Sequence, residues 1–174
     1  MMKNRILIKL GGSSLQNEDV VHRLAQAIQQ YRKYGHQVVV VHGGGPAINA
    51  ELTRRGISWS FLDGQRVTTP EMIETIEMVL KGSVNGKVVR ALNQIGIPAF
   101  GLSGSEGRLL QCEVANPVLG RVGRVVQVNQ RLLESLLQIE GDPVPVIAPL
   151  GISPEGETLN INADWAASQI ATAL

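Results

Sequence analysis

The sequence is poor in the features that mark several large classes of protein. It has one cysteine in 174 residues, Cys112, so no disulfide can form within the chain. No Cys or His partner stands at metal-ligand spacing from it. A small buried hydrophobe is the plain reading of Cys112. Excess charge is lacking as well: 16 Lys and Arg against 15 Asp and Glu leave a net +1. The cations are scattered along the chain, which speaks against a nucleic-acid surface. No apolar run approaches the roughly 20 residues a membrane-spanning helix requires. The apolar start is short, is broken by Lys9 and has no small-residue cleavage site behind it, so export is not expected and a cytoplasmic location is. Aromatic residues are only 3% of the chain, which leaves the core to aliphatic side chains.

What is present fits one soluble α/β domain. Hydrophobic residues make up 44% and charged residues 18%, with 19 glycines; that composition is too apolar for disorder, and the length suffices for a sizeable core. RILIKL (5–10) reads as a strand, and Gly11-Gly12-Ser13-Ser14 leads to a helix with Val20, Val21, Leu24, Ala27 and Ile28 at helical spacing. Asn17 is placed to cap that helix and Gly35 to end it. HQVVVVH (36–42) is a β-branched run suited to a strand buried on both faces, followed by Gly43-Gly44-Gly45 and a helix with Pro46 in its first turn. Residues 57–69 carry a hairpin signal at Asp63-Gly64. A long helix is expected from Pro70, broken or bent at Gly82 and Gly86. A third strand (97–104), a second hairpin region about residues 116–123, an amphipathic helix, the apolar strand VPVIAPLGI and a final helix complete the chain. Alternating strands and helices predict a mostly parallel sheet with helices on both faces.

In such a sheet ligands sit at the carboxyl ends of the strands, and the most unusual stretches fall there. Lys9 with Gly11 and Gly12 combines a charge, bare backbone amides and a following helix, which suits a phosphate; a βα turn alone needs glycine too. Three glycines after His42 exceed what a tight turn requires and suggest amides pressed against an anion. The spacing is neither Gly-x-Gly-x-x-Gly nor Gly-Lys-Ser, which disfavours a dehydrogenase or P-loop protein. His42 itself closes an apolar strand and is more often structural than catalytic in that setting. Arg66 lies on a hairpin arm; most strand arginines are simply solvated, but one folded over a glycine-lined cleft can grip a carboxylate. In LNINAD, Asn160, Asn162 and Asp164 stand at spacing two; Asp164 can cap the last helix, whereas Asn160 and Asn162 have no evident capping task. Ser103-Gly104-Ser105-Glu106-Gly107 reads as a turn rather than a nucleophile elbow. Trp59, Trp165 and Met78 read as packing residues.

Taken in order, KLGGSS, VVVVHGGGPAIN, DGQRVTTPEMIETIEMVLKGSVN, GLSGSEG and NINAD resemble the amino acid kinase family, and within it the acetylglutamate kinases. The resemblance runs the whole length of the chain. It implies a three-layer αβα sandwich around a mostly parallel sheet. It also implies transfer of the γ-phosphoryl of ATP to the side-chain carboxylate of N-acetyl-L-glutamate, a step of arginine biosynthesis. ATP would arrive as co-substrate with Mg2+ held by its phosphates, with no protein metal site and no tightly bound cofactor. By the same resemblance Lys9 stabilises charge on the transferred group and Gly11 and Gly12 donate to phosphates. Gly44, Gly45 and Asn160 hold the acetylglutamate, Arg66 clamps its α-carboxylate, and Asp164 orients the catalytic charges. A homodimer through the helix around residues 70–95 is implied too, with no membrane or nucleic-acid partner. The family continues into a nucleotide-binding half, so residues 1–174 are expected to be an acetylglutamate-binding and dimerising domain lacking that half and inactive alone. A non-catalytic binding module, or a kinase for a relative such as aminoadipate, carbamate or aspartate, are the alternatives. Gly11-Gly12-Ser13-Ser14 also resembles aspartokinases, but the triple glycine, Pro-Ala-Ile-Asn and the Arg66 hairpin do not. Gly86 and Trp165 depart from the acetylglutamate kinase pattern.

Overall fold

The β-branched run at residues 38–41 sits at the centre of the structure, a computed structural model that describes residues 4–174. It forms β2 (Gln37–His42), which pairs in parallel with β1 (Arg5–Leu10) from Arg5 opposite Gln37 to Leu10 opposite His42. Successive strand side chains point to opposite faces, and β2 uses both. Val38 and Val40 enter one hydrophobic core, and Val39 and Val41 the other. Four consecutive apolar residues are thus accounted for by burial on two sides.

The first core is closed by helices. Asn17 caps α1 (Glu18–Lys33), its side-chain oxygen accepting from the amides of Asp19 and Val20, and Gly35 ends it with φ +81°. The buried stripe is Val21, Ala25 and Ile28, so the core-facing alanine is Ala25 rather than the expected Ala27. Next to it pack α2 (Gly45–Arg54), α3 (Pro70–Glu77) and α4 (Asn85–Gln94). Between α3 and α4 the backbone runs through a π-helical stretch, Met78–Val84. A break or bend was expected at Gly82 and Gly86; the chain stays helical throughout, with π-helical winding around Gly82 and Gly86 already in the first turn of α4.

The intervening hairpin is short: β3 (Phe61–Leu62) and β4 (Gln65–Arg66) are joined by Asp63 and Gly64, both with positive φ as a two-residue turn of this kind requires. β5 (Ala99–Ser103) follows α4. β6 (Leu110–Val114) and β7 (Gly123–Val128) form the second, antiparallel hairpin, and α5 (Gln130–Leu137) returns the chain to the sheet. The expected single strand VPVIAPLGI is two: β8 (Val144–Ala148) and β9 (Leu150–Ile152). They part at Pro149, which has no amide hydrogen to continue a ladder. β10 (Thr158–Asn160) and α6 (Ala163–Ala173) end the chain.

The main sheet has the order β1-β2-β8-β5 and is parallel at every pairing. A second sheet, β10-β9-β6-β7, packs with α5 and α6 over the other face. The result is the expected three-layer α/β arrangement, with part of one outer layer built from strands. Among the described residues no helix is long and apolar enough to cross a membrane.

Candidate active site

Because β1 and β2 run in register, the loops after them leave the sheet side by side. The amide of Gly43 donates to the carbonyl of Leu10 at 2.8 Å. A Cβ placed on Gly12 would lie 2.8 Å from the nitrogen of Gly44 and 2.9 Å from that of Gly45, distances no side chain tolerates, so the two loops touch backbone to backbone. At Gly45 the opposite holds: apart from its chain neighbours and its own helix backbone, a Cβ would meet no atom of the described residues within 4 Å. Its bare backbone faces open space at the start of α2, where the helix dipole and unpaired amides favour an anion.

That space is a cavity of about 410 Å³ over the carboxyl ends of the parallel strands. Lys9, Gly12, the Gly43–Gly45 loop, Arg66, Asn160 and Asp164 all line it. Of the expected site residues, only Gly11 is not on its wall; it sits one step back in the first loop. The cavity thus brings together expected site residues from four separate segments.

Each charged residue is held differently. Lys9 Nζ pairs with Asp164 Oδ1 at 2.8 Å, with Asp164 largely exposed. An exposed pair contributes at most about 1 kcal/mol to stability, and this one joins two residues of the cavity wall. Asn162, expected to have no capping role, is the cap of α6. Its side-chain oxygen accepts from the amides of Asp164 and Trp165, which fixes the turn from which the carboxylate of Asp164 projects.

Arg66 is 6% exposed. Its guanidinium lies over the rings of Phe61 (4.8 Å) and Trp59 (5.5 Å), cation–π contacts that hold it without using its donors. Its Nη2 donates to Asn49 on α2, and a longer contact reaches the Gly45 carbonyl. Nη1 is buried and has no hydrogen-bond partner among the described residues. Burial pulls the guanidinium below its ordinary value, the direction expected when charge is taken out of water unmatched. An arginine so placed calls for an anion. Next to it, Gln65 Oε1 is a second buried polar atom without a partner among the described residues.

His42 is structural. Its Nδ1 donates to the Gly43 carbonyl at 3.0 Å and its Nε2 accepts from Asn85 Nδ2 at 3.1 Å, the same amide donating to the Val146 carbonyl at 2.9 Å. The neutral tautomer is the one that satisfies all three bonds, and burial lowers its pKa accordingly. The Gly43 carbonyl is thereby occupied by His42 and its amide by Leu10. Cys112 is buried and its thiol is pushed up to about 12 by desolvation, which makes it inert. Ser103, Ser105 and Glu106 form a closed network with Lys81 outside the cavity.

Trp59, Trp165 and Met78, read as packing residues, are 39%, 46% and 46% exposed, and Trp59 packs edge-on against Phe61. Trp59 flanks Arg66, and Trp165 stands beside Asp164. Sequence reasoning also missed Asn49, Phe61 and Thr68. The first two could have been sought as partners for an arginine in a hairpin, whereas nothing local marked Thr68.

The profile of the amino acid kinase family matches residues 4–174. The chain belongs to the amino acid kinase family. Among its relatives, the acetylglutamate kinase of Ruegeria pomeroyi is 44% identical over 169 residues, which cover 97% of this chain and 58% of that protein. The acetylglutamate kinase of Geobacillus thermodenitrificans is 42% identical over 174 residues, covering 99% of this chain and 66% of that one. The chain therefore spans about three-fifths of the length of such relatives. The crystal structure of smu.665 from Streptococcus mutans superposes with a TM-score of 0.89 at 32% identity, covering 99% of this chain and 69% of that one.

Proposed function

We propose that this chain supplies the acetylglutamate-binding part of an N-acetyl-L-glutamate kinase, which phosphorylates the side-chain carboxylate to an acyl phosphate using ATP. The observation that carries this is the pair of cations in one cavity. Lys9 and Arg66 reach the same space from β1 and β4, with the bare amides of Gly44 and Gly45 in the same wall. A ligand with two carboxylates and a polar middle satisfies that set. Similarity to proteins named acetylglutamate kinase supports the same reading.

In this reading Arg66 holds the α-carboxylate through its unpartnered Nη1. The reacting carboxylate lies against the amides of Gly44 and Gly45, with Gly12 donating to the phosphoryl oxygens and Lys9 neutralising the charge that develops there. A carboxylate is already ionised near neutral pH, so no general base is needed. Positioning and electrostatic stabilisation do the catalysis. Asp164 acts through Lys9, by direction rather than by proton transfer. Mg2+ would accompany ATP on the nucleotide's own phosphates. The adenosine moiety would be held by the part of the relatives this chain does not span. A cytoplasmic location and a homodimer through the helix around residues 70–95 belong to the same reading; exposed Met78 supports the second.

Calorimetric titration of the chain with N-acetylglutamate tests the proposal. Binding is expected, and Arg66→Ala should weaken it roughly 10- to 100-fold, the loss of a hydrogen-bonded charge pair. Aspartate and aminoadipate titrated alongside test the substrate class. Absence of binding, or unchanged affinity in Arg66→Ala, would sink it.

A further inference from the structure

We infer that Thr68 is a positioning residue that fixes which end of the Asn160 side-chain amide faces the ligand, making the site selective for an N–H donor. This rests on the cavity being the acetylglutamate site. Thr68 is fully buried, lies behind the cavity wall, and its one hydroxyl joins two wall residues that are far apart in the chain. Thr68 Oγ1 donates to the carbonyl of Arg66 at 3.1 Å and accepts from Asn160 Nδ2 at 3.2 Å.

The direction of this relay is forced. A carbonyl can only accept, so the single hydroxyl proton of Thr68 is committed to Arg66. Only lone pairs remain toward Asn160, and the amide must present nitrogen there. The carboxamide oxygen Oδ1 is therefore turned away from Thr68, as an acceptor. An acceptor in a cavity walled by cations and amide donors is selective: it suits an N–H on the ligand and repels a carboxylate or ester oxygen. The acetamido N–H of an N-acylated amino acid has that chemistry.

The backbone around Thr68 holds it still. Its amide donates to the Leu119 carbonyl at 2.9 Å, and its carbonyl accepts from the Arg121 amide at 2.7 Å. The Arg121 carbonyl in turn accepts from the Asn160 amide at 2.9 Å, so Thr68 and Asn160 are pinned to the same residue. Gly120 has φ +68° and a Cβ there would lie 2.4 Å from the Thr68 carbonyl oxygen, so the close approach depends on glycine. With both backbones fixed, the amide of Asn160 has rotation about its own side chain as its remaining freedom, and the Thr68 hydroxyl removes it.

The test compares N-acetylglutamate with 2-acetoxyglutarate, in which an ester oxygen replaces the amide N–H, by calorimetric titration of the 174-residue chain. The parent chain should prefer the amide by about tenfold or more. In Thr68→Val, which keeps shape and loses the relay, the preference should fall below about threefold, while Thr68→Ser should restore it. Thr68→Cys, whose thiol is a weak acceptor, gives the same reading if the valine variant is unstable. A preference retained in the valine or cysteine variant, or lost in the serine variant, overturns the role of Thr68. Equal affinity of the parent chain for both ligands overturns the selectivity. Failure to bind N-acetylglutamate at all is a different result and refutes the proposed function instead.

Discussion

His42 shows how a single side chain can be read from its partners. Two of the three bonds in its network end on backbone carbonyls, so the proton positions are determined and the ring is neutral. Burial lowers its pKa below the ordinary 6.5, so the unfolded chain takes up a proton at a pH where the folded chain does not. Stability contributed by the neutral ring is present above about pH 6.5 and is lost as pH falls. Urea midpoints measured from about pH 7 down to about pH 5 should decline before the carboxylates titrate, and the decline should flatten in His42→Gln. A flat profile for the parent chain would contradict the assignment. That Lys9, Gly12, Gly44, Gly45, Arg66, Asn160 and Asp164 meet at one cavity was legible because charge and bare backbone at strand ends are visible in one dimension. Thr68 was not, because its importance comes from Asn160, 92 positions away. Asn162 was misread, since a cap is recognisable only when the start of the helix is known to within a residue.

At the scale of elements, periodicity was informative wherever one environment covers a whole segment. β2 is buried on both faces and α1 on one, and both were legible. VPVIAPLGI was not, because its apolar residues serve two sheets and hydrophobicity does not register the change of partner. The π-helical stretch is a similar case: glycines at 82 and 86 signal weak helix propensity, but α2, α3 and the first core hold the backbone in place. Gly82 is exposed and, apart from its chain neighbours and its own helix backbone, a Cβ there would meet no atom of the described residues within 4 Å. Gly82→Ala should therefore stabilise the chain by roughly 0.5–1 kcal/mol, by restricting the unfolded state. A thermal scan should show a rise of about 2 °C for a chain of this length. A fall instead would mean that the π-helical winding needs glycine at that position.

Considering the whole molecule, the two hydrophobic cores are not independent units. Val38 and Val40 belong to one and Val39 and Val41 to the other, so neither can melt while β2 keeps both sets of contacts. Native-state hydrogen exchange should find the amides of β2 among the slowest, with protection equal to that of global unfolding. The hairpin β3–β4, whose tip is exposed, should exchange far faster. Fast exchange in β2 at low denaturant would show that the cores open separately. Arg66, at the buried end of that hairpin, is tied to both α2 and Asn160's relay, which anchors that end.

The contact between the two glycine loops also constrains how the sequence can drift. At Gly12 the obstacle to any larger residue is the backbone of Gly44 and Gly45, and no side-chain change elsewhere can remove backbone. A second mutation cannot compensate; only a change in loop length could. Gly45 is under no such steric veto, since a methyl group there would project into open space. Glycine at position 12 is therefore compulsory for the fold whether or not the protein works. Glycine at position 45 is compulsory only if something must come close to it. Among relatives that have lost the reaction, position 12 should stay fixed while position 45 is released.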